Sequence, residues 1–433
     1  MQSKIASDLS SLRIGRCLLT LAIFWGCLIL SPKLFALDAR EIFQQNEDRV
    51  LQIRVLNRQT DKKSSIGSGF IVGDGTQVAT NFHVISEIIL EPELFYISYL
   101  QKDGLEGELE LVGLDVAHDL ALLKSDTRIG EPTRSNSLPP RGAPIFAMGN
   151  PLDLGLNIAV GTNGGILNQT DDGRILFSGS LNSGMSGGPT FNEAGEVVGI
   201  NVATARNDIS FIVPSQFLNA LLESASDQPL ARNNLKLIVA NQVLEYENRY
   251  MSQLINQDWP SIQLRELKVP GAISPTVRCW DNSNKLNDNL LYRRFQIHCA
   301  NKNHVYLDSQ NRFVGDLIYQ YFWLETDELN PIRFYNLYEK LNKDQIDNKL
   351  SEEQVSNFNC DVWFVNISGK EFKTNICRRE YVEYEGMSDV LFTAALTGHD
   401  NKGFFITLNL TGVSYQSSLP LIQKFIEQVE WTN

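Results

Sequence analysis

Short apolar runs separated by glycine and proline dominate the sequence between residues 65 and 214. They include GSGFIV, VATNFHV, LALLK, PIFAMGN, GEVVGINVAT and ISFIVP. Many short strands with regular turn residues are typical of β-sandwiches and β-barrels. The segment that follows, SQFLNALLES, has the apolar spacing of an amphipathic helix and predicts the end of this unit. The sequence therefore predicts a nearly all-β domain over residues 40–222.

The charge of the chain excludes one large class of partner. The formal net charge is −13 at pH 7. A nucleic-acid-binding surface needs clustered lysine and arginine, and this acidic sequence has no such cluster. We therefore expect no nucleic-acid partner.

Residues 1–36 have the composition of an export signal. A basic stretch precedes the apolar run CLLTLAIFWGCLIL, which is shorter than the roughly 20 residues that span a bilayer. We therefore expect an exported protein, periplasmic or extracellular, with cleavage after Ala36. An uncleaved N-terminal membrane anchor stays open as an alternative, because Leu34 is larger than the small residue usual before a cleavage site. Membrane contact is then expected only through this segment.

A polar stretch, residues 223–235, predicts a linker to a C-terminal domain over residues 236–433. The four cysteines outside the signal all lie in that domain, at positions 279, 299, 360 and 377. An even cysteine set in an exported chain predicts disulfides. Metal ligation is the alternative, but neither C-x-x-C nor paired-histidine spacing supports it, so we predict no metal and no cofactor.

Two parts of the C-terminal domain look alike, residues 262–343 and 356–433. Each has two cysteines, a strand-like apolar run, a proline and a helix-like run. We interpret this as a weak duplication, with chance similarity as the alternative. The interpretation predicts a smaller α+β domain in which Cys279–Cys299 and Cys360–Cys377 each connect the strands of one hairpin. We expect this domain to serve binding or regulation rather than chemistry.

One serine, Ser186, lies among glycines in the stretch NSGMSGGPTF. A serine hydroxyl becomes a nucleophile when an imidazole takes its proton and a carboxylate orients that imidazole. His83 ends a strand-like run, and Asp119 precedes the apolar run LALLK, where a semi-buried carboxylate needs a partner. The chain order His, Asp, Ser is one of three in which serine-protease triads occur. We therefore predict a catalytic triad of His83, Asp119 and Ser186.

The glycines around Ser186 predict an oxyanion hole. The backbone N–H groups of Gly184 and Ser186 can point at one spot and stabilise the oxyanion of a tetrahedral intermediate. His118 lies next to Asp119 in sequence, but a carboxylate that begins a strand cannot turn back onto its neighbour. We therefore expect His118 to be exposed on the surface and without a catalytic role.

Six motifs together resemble the trypsin-like proteases of the HtrA (Deg) type. The sequences TNFHV, DVAHDLALLK and GMSGGP are similar to the His, Asp and Ser motifs of that family. GSGFIV, AMGNP and GINVAT match further parts of the pattern, and the resemblance covers residues 40–222. It implies a chymotrypsin-like double β-barrel with the active site in the cleft between barrels. The fold class expected for the whole chain is therefore mainly β, with the α+β domain following.

The resemblance implies an exported serine endopeptidase that hydrolyses unfolded or extended polypeptides through an acyl-enzyme on Ser186. A trypsin-like fold without activity, acting as a binding or chaperone module, is the alternative. Met185 departs from the family pattern, in which a small polar residue is usual. No PDZ-like segment follows residue 223, so the family's trimeric assembly does not carry over and the oligomeric state stays open.

The resemblance also places a substrate pocket. In trypsin-like proteases the pocket base lies six positions before the nucleophile, which here is Ser180. The strand after the nucleophile should form the walls, with Ile200, Asn201, Val202 and Ala203. Without a carboxylate, such a pocket disfavours a buried Arg or Lys. We therefore predict cleavage after small or medium apolar residues such as Val, Ala or Leu.

Overall fold

A computed structural model describes residues 37–167, 173–204, 210–283, 291–301, 304–310, 312–343 and 350–432. Contacts divide the chain into Met1–Asp38 and a compact unit, Ala39–Asn433. The predicted export signal, residues 1–36, lies outside the described residues, so its cleavage stays a prediction. None of the helices in the described ranges combines the length and apolar character needed to cross a membrane.

Twelve antiparallel strands form two closed six-stranded barrels. The first has the order β1-β2-β3-β6-β5-β4 and comprises β1 Val50–Asn57, β2 Lys63–Val72, β3 Gln77–Thr80, β4 Phe95–Leu100, β5 Glu106–Asp115 and β6 Leu120–Lys124. The second has the order β10-β11-β12-β9-β8-β7 and comprises β7 Pro144–Gly149, β8 Asn157–Ile166, β9 Ile175–Phe177, β10 Pro189–Phe191, β11 Val197–Thr204 and β12 Ser210–Pro214. The predicted double barrel is confirmed.

Four helices accompany the barrels: α1 Ala39–Asn46, α2 Phe82–Ile85, α3 Glu87–Leu90 and α4 Ser215–Ser224. Side chains along a strand alternate between its faces, so every second residue of β1 reaches the first barrel's core. Leu51, Ile53 and Val55 illustrate this, since all three are fully buried in one apolar cluster. The second barrel has a smaller core, to which Met185 contributes.

The C-terminal region is built on a seven-stranded antiparallel sheet of order β15-β16-β19-β23-β22-β21-β20. The elements of the whole C-terminal region, in chain order, are α5 Leu235–Asn256, β13 Ser261–Leu264, β14 Leu267–Pro270, β15 Arg278–Asp281, β16 Arg293–Ala300, β17 Val305–Asp308, β18 Arg312–Val314, β19 Leu317–Glu325, α6 Pro331–Lys343, β20 Asn359–Ile367, β21 Lys370–Glu380, β22 Ser388–Leu396, β23 Lys402–Val413, α7 Tyr415–Glu427 and β24 Glu430–Trp431. On β19, Tyr321 packs with α5 and α7, whereas Phe322 packs with α6. Helices therefore cover both faces of the sheet.

A disulfide connects the two strands of a hairpin at each edge of this sheet. Cys279 on β15 is bonded to Cys299 on β16, and Cys360 on β20 is bonded to Cys377 on β21. The two predicted repeats differ between their hairpin and their helix. The first has β17, β18 and β19 there, of which only β19 joins the seven-stranded sheet, whereas the second has β22 and β23, both in that sheet. The repeat boundaries stay a prediction.

The segment predicted as a linker, residues 223–235, lies along the first barrel. The Leu230 N–H donates to the Leu111 carbonyl at 2.8 Å, and Lys124 pairs with Asp227 at 2.7 Å. The apolar core of the first barrel also continues into α5 and into the hairpin of β17 and β18. The first barrel therefore shares an apolar cluster with α5 and this hairpin, while the seven-stranded sheet has a separate cluster of its own.

Candidate active site

His83 and Asp119 form a close pair between a one-turn helix and a strand end. His83 lies in α2, directly after β3, and Asp119 precedes β6 with a positive φ of 58°. The carboxylate accepts two bonds from the same residue, from Nδ1 at 2.6 Å and from the backbone N–H at 2.9 Å. Asp119 is only 4% exposed. Because a carboxylate accepts, this contact puts a proton on Nδ1 and leaves Nε2 as the acceptor nitrogen of a neutral imidazole.

The turn that carries Ser186 is attached to the first barrel through Ser68. The Ser68 hydroxyl donates to the Gly184 carbonyl at 2.7 Å and accepts the Asn150 N–H at 2.8 Å. The Ser68 N–H donates to the Ser186 carbonyl at 2.8 Å. These bonds explain the GSGFIV motif, which sequence reasoning did not connect with the nucleophile.

Two glycines of this turn have conformations and surroundings that exclude a side chain. Gly184 has φ +92° and Gly187 has φ +84°. A Cβ at Gly184 would clash with the Asn150 carbonyl, and one at Gly187 would clash with the end of β3, at Thr80. The turn can therefore lie directly against the strand that leads to His83.

Met185 points away from the site, into the core of the second barrel, and is 1% exposed. Its carbonyl accepts a bond from the Asn201 amide at 3.2 Å. In the described part of the chain, the N–H groups of Gly184 and Ser186 have no acceptor. Met185, which differs from the small polar residue usual in the family, therefore fixes the turn to the second barrel. It leaves both predicted oxyanion donors available.

The Ser186 hydroxyl donates to the Val202 carbonyl at 2.8 Å. Among the described residues, no hydrogen bond joins it to His83. The structure thus places the acid–base pair and the serine turn at adjoining strand ends, with the hydroxyl rotated onto β11.

The residues predicted for the substrate pocket have different surroundings. Ser180 is exposed, and Val202 is 6% exposed. Ile200 and Asn201 are fully buried, so their side chains have no surface for a substrate in this structure. The Asn201 amide instead connects the Met148 carbonyl with Thr190, inside the second barrel. The side chain of Ala203 lies outside the described residues, so the pocket stays a prediction at Ser180, Val202 and Ala203.

The prediction that His118 is exposed is wrong. Its side chain is 17% exposed, and Nδ1 lies 2.7 Å from Asp115. The ring stacks on Phe217 of α4 with a centroid distance of 3.7 Å. The cause is the turn after β5, which folds the imidazole back over a helix that is distant in sequence.

Across the described ranges, no group of histidine, cysteine or acidic residues has the arrangement of a metal site.

Residues 67–200 match the family model described as the trypsin-like peptidase domain. The resemblance predicted from the motifs is therefore confirmed for this part of the chain. A probable periplasmic serine endoprotease, DegP-like, of Rhizobium meliloti is 32% identical over 170 residues, which is 36% of this chain and 32% of that protein. The serine endoprotease DegS of Escherichia coli is 33% identical over 175 residues, 37% of this chain and 48% of that protein.

Among solved structures, the serine endoprotease from Yersinia pestis is 27% identical with a TM-score of 0.38. That match covers 43% of this chain and 65% of the other. The matched segment spans about a third of the Rhizobium protein and about half of the Escherichia protein. The residues that match the family model, 67–200, lie within the two barrels.

Proposed function

We propose that this protein is an exported serine endopeptidase that cleaves extended or unfolded polypeptides through an acyl-enzyme on Ser186. The observation that carries the proposal is the buried Asp119, which orients His83 beside a serine turn fixed by Ser68. The names of the relatives support the reaction class, and the word periplasmic in one of them supports export.

In the proposed reaction, the Ser186 hydroxyl leaves the Val202 carbonyl and bonds to Nε2 of His83. Its oxygen attacks the peptide carbonyl while its proton passes to Nε2, and Asp119 stabilises the imidazolium. The N–H groups of Gly184 and Ser186 bind the oxyanion. His83 then protonates the leaving amine, which gives the acyl-enzyme and the first product. A water, deprotonated by His83, hydrolyses the ester and restores Ser186.

The hydrogen bond from Ser186 to Val202 favours a second candidate, a trypsin-like fold that binds polypeptides without cleaving them. A hydroxyl bonded to a carbonyl is not activated by a base. The two functions differ in one property, because only the peptidase forms a covalent bond at Ser186.

Labelling with a fluorophosphonate probe and hydrolysis of an unfolded protein distinguish the two. We expect the wild type to be labelled and to cleave, and Ser186→Ala to lose both, with a rate lower by about four to six orders of magnitude. Ser183→Ala is the matched control, because it removes an exposed hydroxyl from the same turn. A wild type that binds the unfolded protein without labelling or cleavage would establish the binding module instead.

A further inference from the structure

The hairpin of β17 and β18 belongs to the C-terminal region, yet it packs against the first barrel. Leu307 and Val314 are buried in the same apolar cluster as α2, the helix of His83. Asp308 and Arg312 form a buried ion pair at the turn end of the hairpin, and Tyr384 donates to Asp308 at 3.1 Å. The hairpin is therefore held in a fixed position from both sides.

Tyr306 extends from this hairpin to the imidazole of His83. The two rings meet edge to face, with centroids 5.7 Å apart and planes inclined by 69°. Phe82 flanks the tyrosine ring at 6.1 Å, and Phe313 flanks it at 5.5 Å. Such aromatic pairs are favourable in this geometry. The tyrosine ring is thus fixed by neighbours from the barrel and from its own hairpin.

The Tyr306 hydroxyl also reaches the backbone of His83, through Ser86. The Ser86 hydroxyl donates to the His83 carbonyl at 3.0 Å, and the Tyr306 oxygen lies 3.2 Å from the Ser86 oxygen. A hydroxyl has a single hydrogen, so Tyr306 is the donor in the second bond. Burial raises the pKa of Tyr306 to about 12, so this donor keeps its proton at neutral pH.

We propose that Tyr306 is a positioning residue for His83, supplied to the active site by the C-terminal region. Asp119 fixes one nitrogen of the imidazole, and Tyr306 limits rotation of the ring from another side while holding its backbone through Ser86. Nε2 then stays directed at the nucleophile. This inference rests on the proposed peptidase function, because it assigns His83 the role of base.

The effect of Tyr306 on turnover can be measured with active-site titration. We expect Tyr306→Ala to lower kcat per titrated site by about 10- to 100-fold, because a misplaced catalytic group costs about that much. KM should stay within about twofold, since Tyr306 acts on the base rather than on binding. Tyr306→Phe keeps the ring and should retain most of the activity. Tyr335→Ala on α6 is the control, because it removes a partly exposed tyrosine from a helix that packs in a different apolar cluster from the helix of His83.

A second measurement does not depend on activity. In a Ser186→Ala background, the Hε1 proton signal of His83 should shift and broaden when Tyr306 becomes Ala. The signal of His118, which is held by Asp115, should not change. Comparison with His83→Ala assigns the signal among the five histidines of the chain.

The two readouts separate the proposals. An unchanged kcat per titrated site, or a loss of kcat without any change in the His83 signal, overturns the role of Tyr306. A wild type that neither labels nor cleaves overturns the peptidase function. In that case, a His83 signal that still responds to Tyr306→Ala supports the positioning contact, and an unresponsive signal overturns it too.

Discussion

The hydroxyl of Ser186 is bonded to the carbonyl of Val202 at 2.8 Å, while Asp119 already holds His83. The imidazole and the carboxylate are therefore already paired, while the serine hydroxyl is bonded elsewhere. In the proposed mechanism, rotation about the Ser186 side-chain bond releases this hydroxyl towards His83, and staggered side-chain rotamers exchange rapidly in partly exposed residues.

A covalent transition-state analogue should hold the Ser186 side chain in the rotamer that no longer bonds to the Val202 carbonyl. A peptide boronate ending in valine should form a bond between boron and the Ser186 oxygen, because boron mimics the tetrahedral intermediate. A crystal structure of the complex should then show the Ser186 oxygen more than about 3.5 Å from the Val202 carbonyl, beyond hydrogen-bond distance. A bound boronate with the original Ser186–Val202 bond intact would contradict this mechanism.

Asp119→Asn should abolish most activity while leaving the fold intact. The amide cannot accept the Nδ1 proton in the same way, which favours the wrong tautomer of His83, and we expect kcat to fall by about 10⁴-fold. The neighbouring substitution, His118→Ala, is the control. It removes a stacking contact with Phe217 worth about 1 kcal/mol, so thermal stability should fall slightly while kcat stays near the wild-type value.

Ser68→Ala should destabilise the turn that carries Ser186, although Ser68 itself lies on the first barrel. The variant leaves the Gly184 carbonyl and the Asn150 N–H without their partner, both in a buried setting. We expect a loss of about 1–3 kcal/mol in the free energy of unfolding. Because the turn also carries the proposed oxyanion donors, kcat should fall as well. Chemical denaturation and peptide hydrolysis measure the two effects, and an unaltered kcat would show that the turn is fixed by its other bonds.

Cleavage should occur after small or medium apolar residues. Ser180 offers no charge to a basic side chain, and burying Arg or Lys without a counter-charge is costly. A cleavage map of an unfolded protein, read by mass spectrometry, should show Val, Ala or Leu before the cut. A map dominated by Arg or Lys would refute the proposed pocket.

His304 should make stability depend weakly on pH. Its bond to Asp316 raises the pKa of the imidazole. The bond therefore stabilises the fold below the ordinary histidine pKa of about 6.5, and this contribution is lost as the pH rises through the raised value. Because the side chain is half exposed, the effect should be below about 1 kcal/mol. Asp316→Asn should lower the melting temperature at about pH 5.5 and leave it nearly unchanged at about pH 8.5, and an equal loss at both would contradict the ion pair.

Local patterns were sufficient to predict the barrels and the three proposed catalytic residues. Strands with turn residues between them, and motifs such as GMSGGP, encode their structure within a few positions. The surroundings of His118 depend on Phe217, and those of His83 on Tyr306, which are distant in sequence. No local pattern signals such contacts. Ile200 and Asn201 lie on opposite faces of β11 and are both buried, because partners from other parts of the chain, such as Met148 and Thr190 at Asn201, cover them.

The continuous core between the first barrel and the C-terminal region bears on how the molecule loses its structure. Val239 and Val243 of α5, and Leu307 of the hairpin, belong to the same apolar cluster as barrel residues such as Val78. Removal of either side would expose apolar surface on the other, so neither half gains by melting alone. Heating should therefore unfold the first barrel and the helix of His83 together with α5 and the hairpin, and a partly denatured molecule that still cleaves polypeptides should not accumulate.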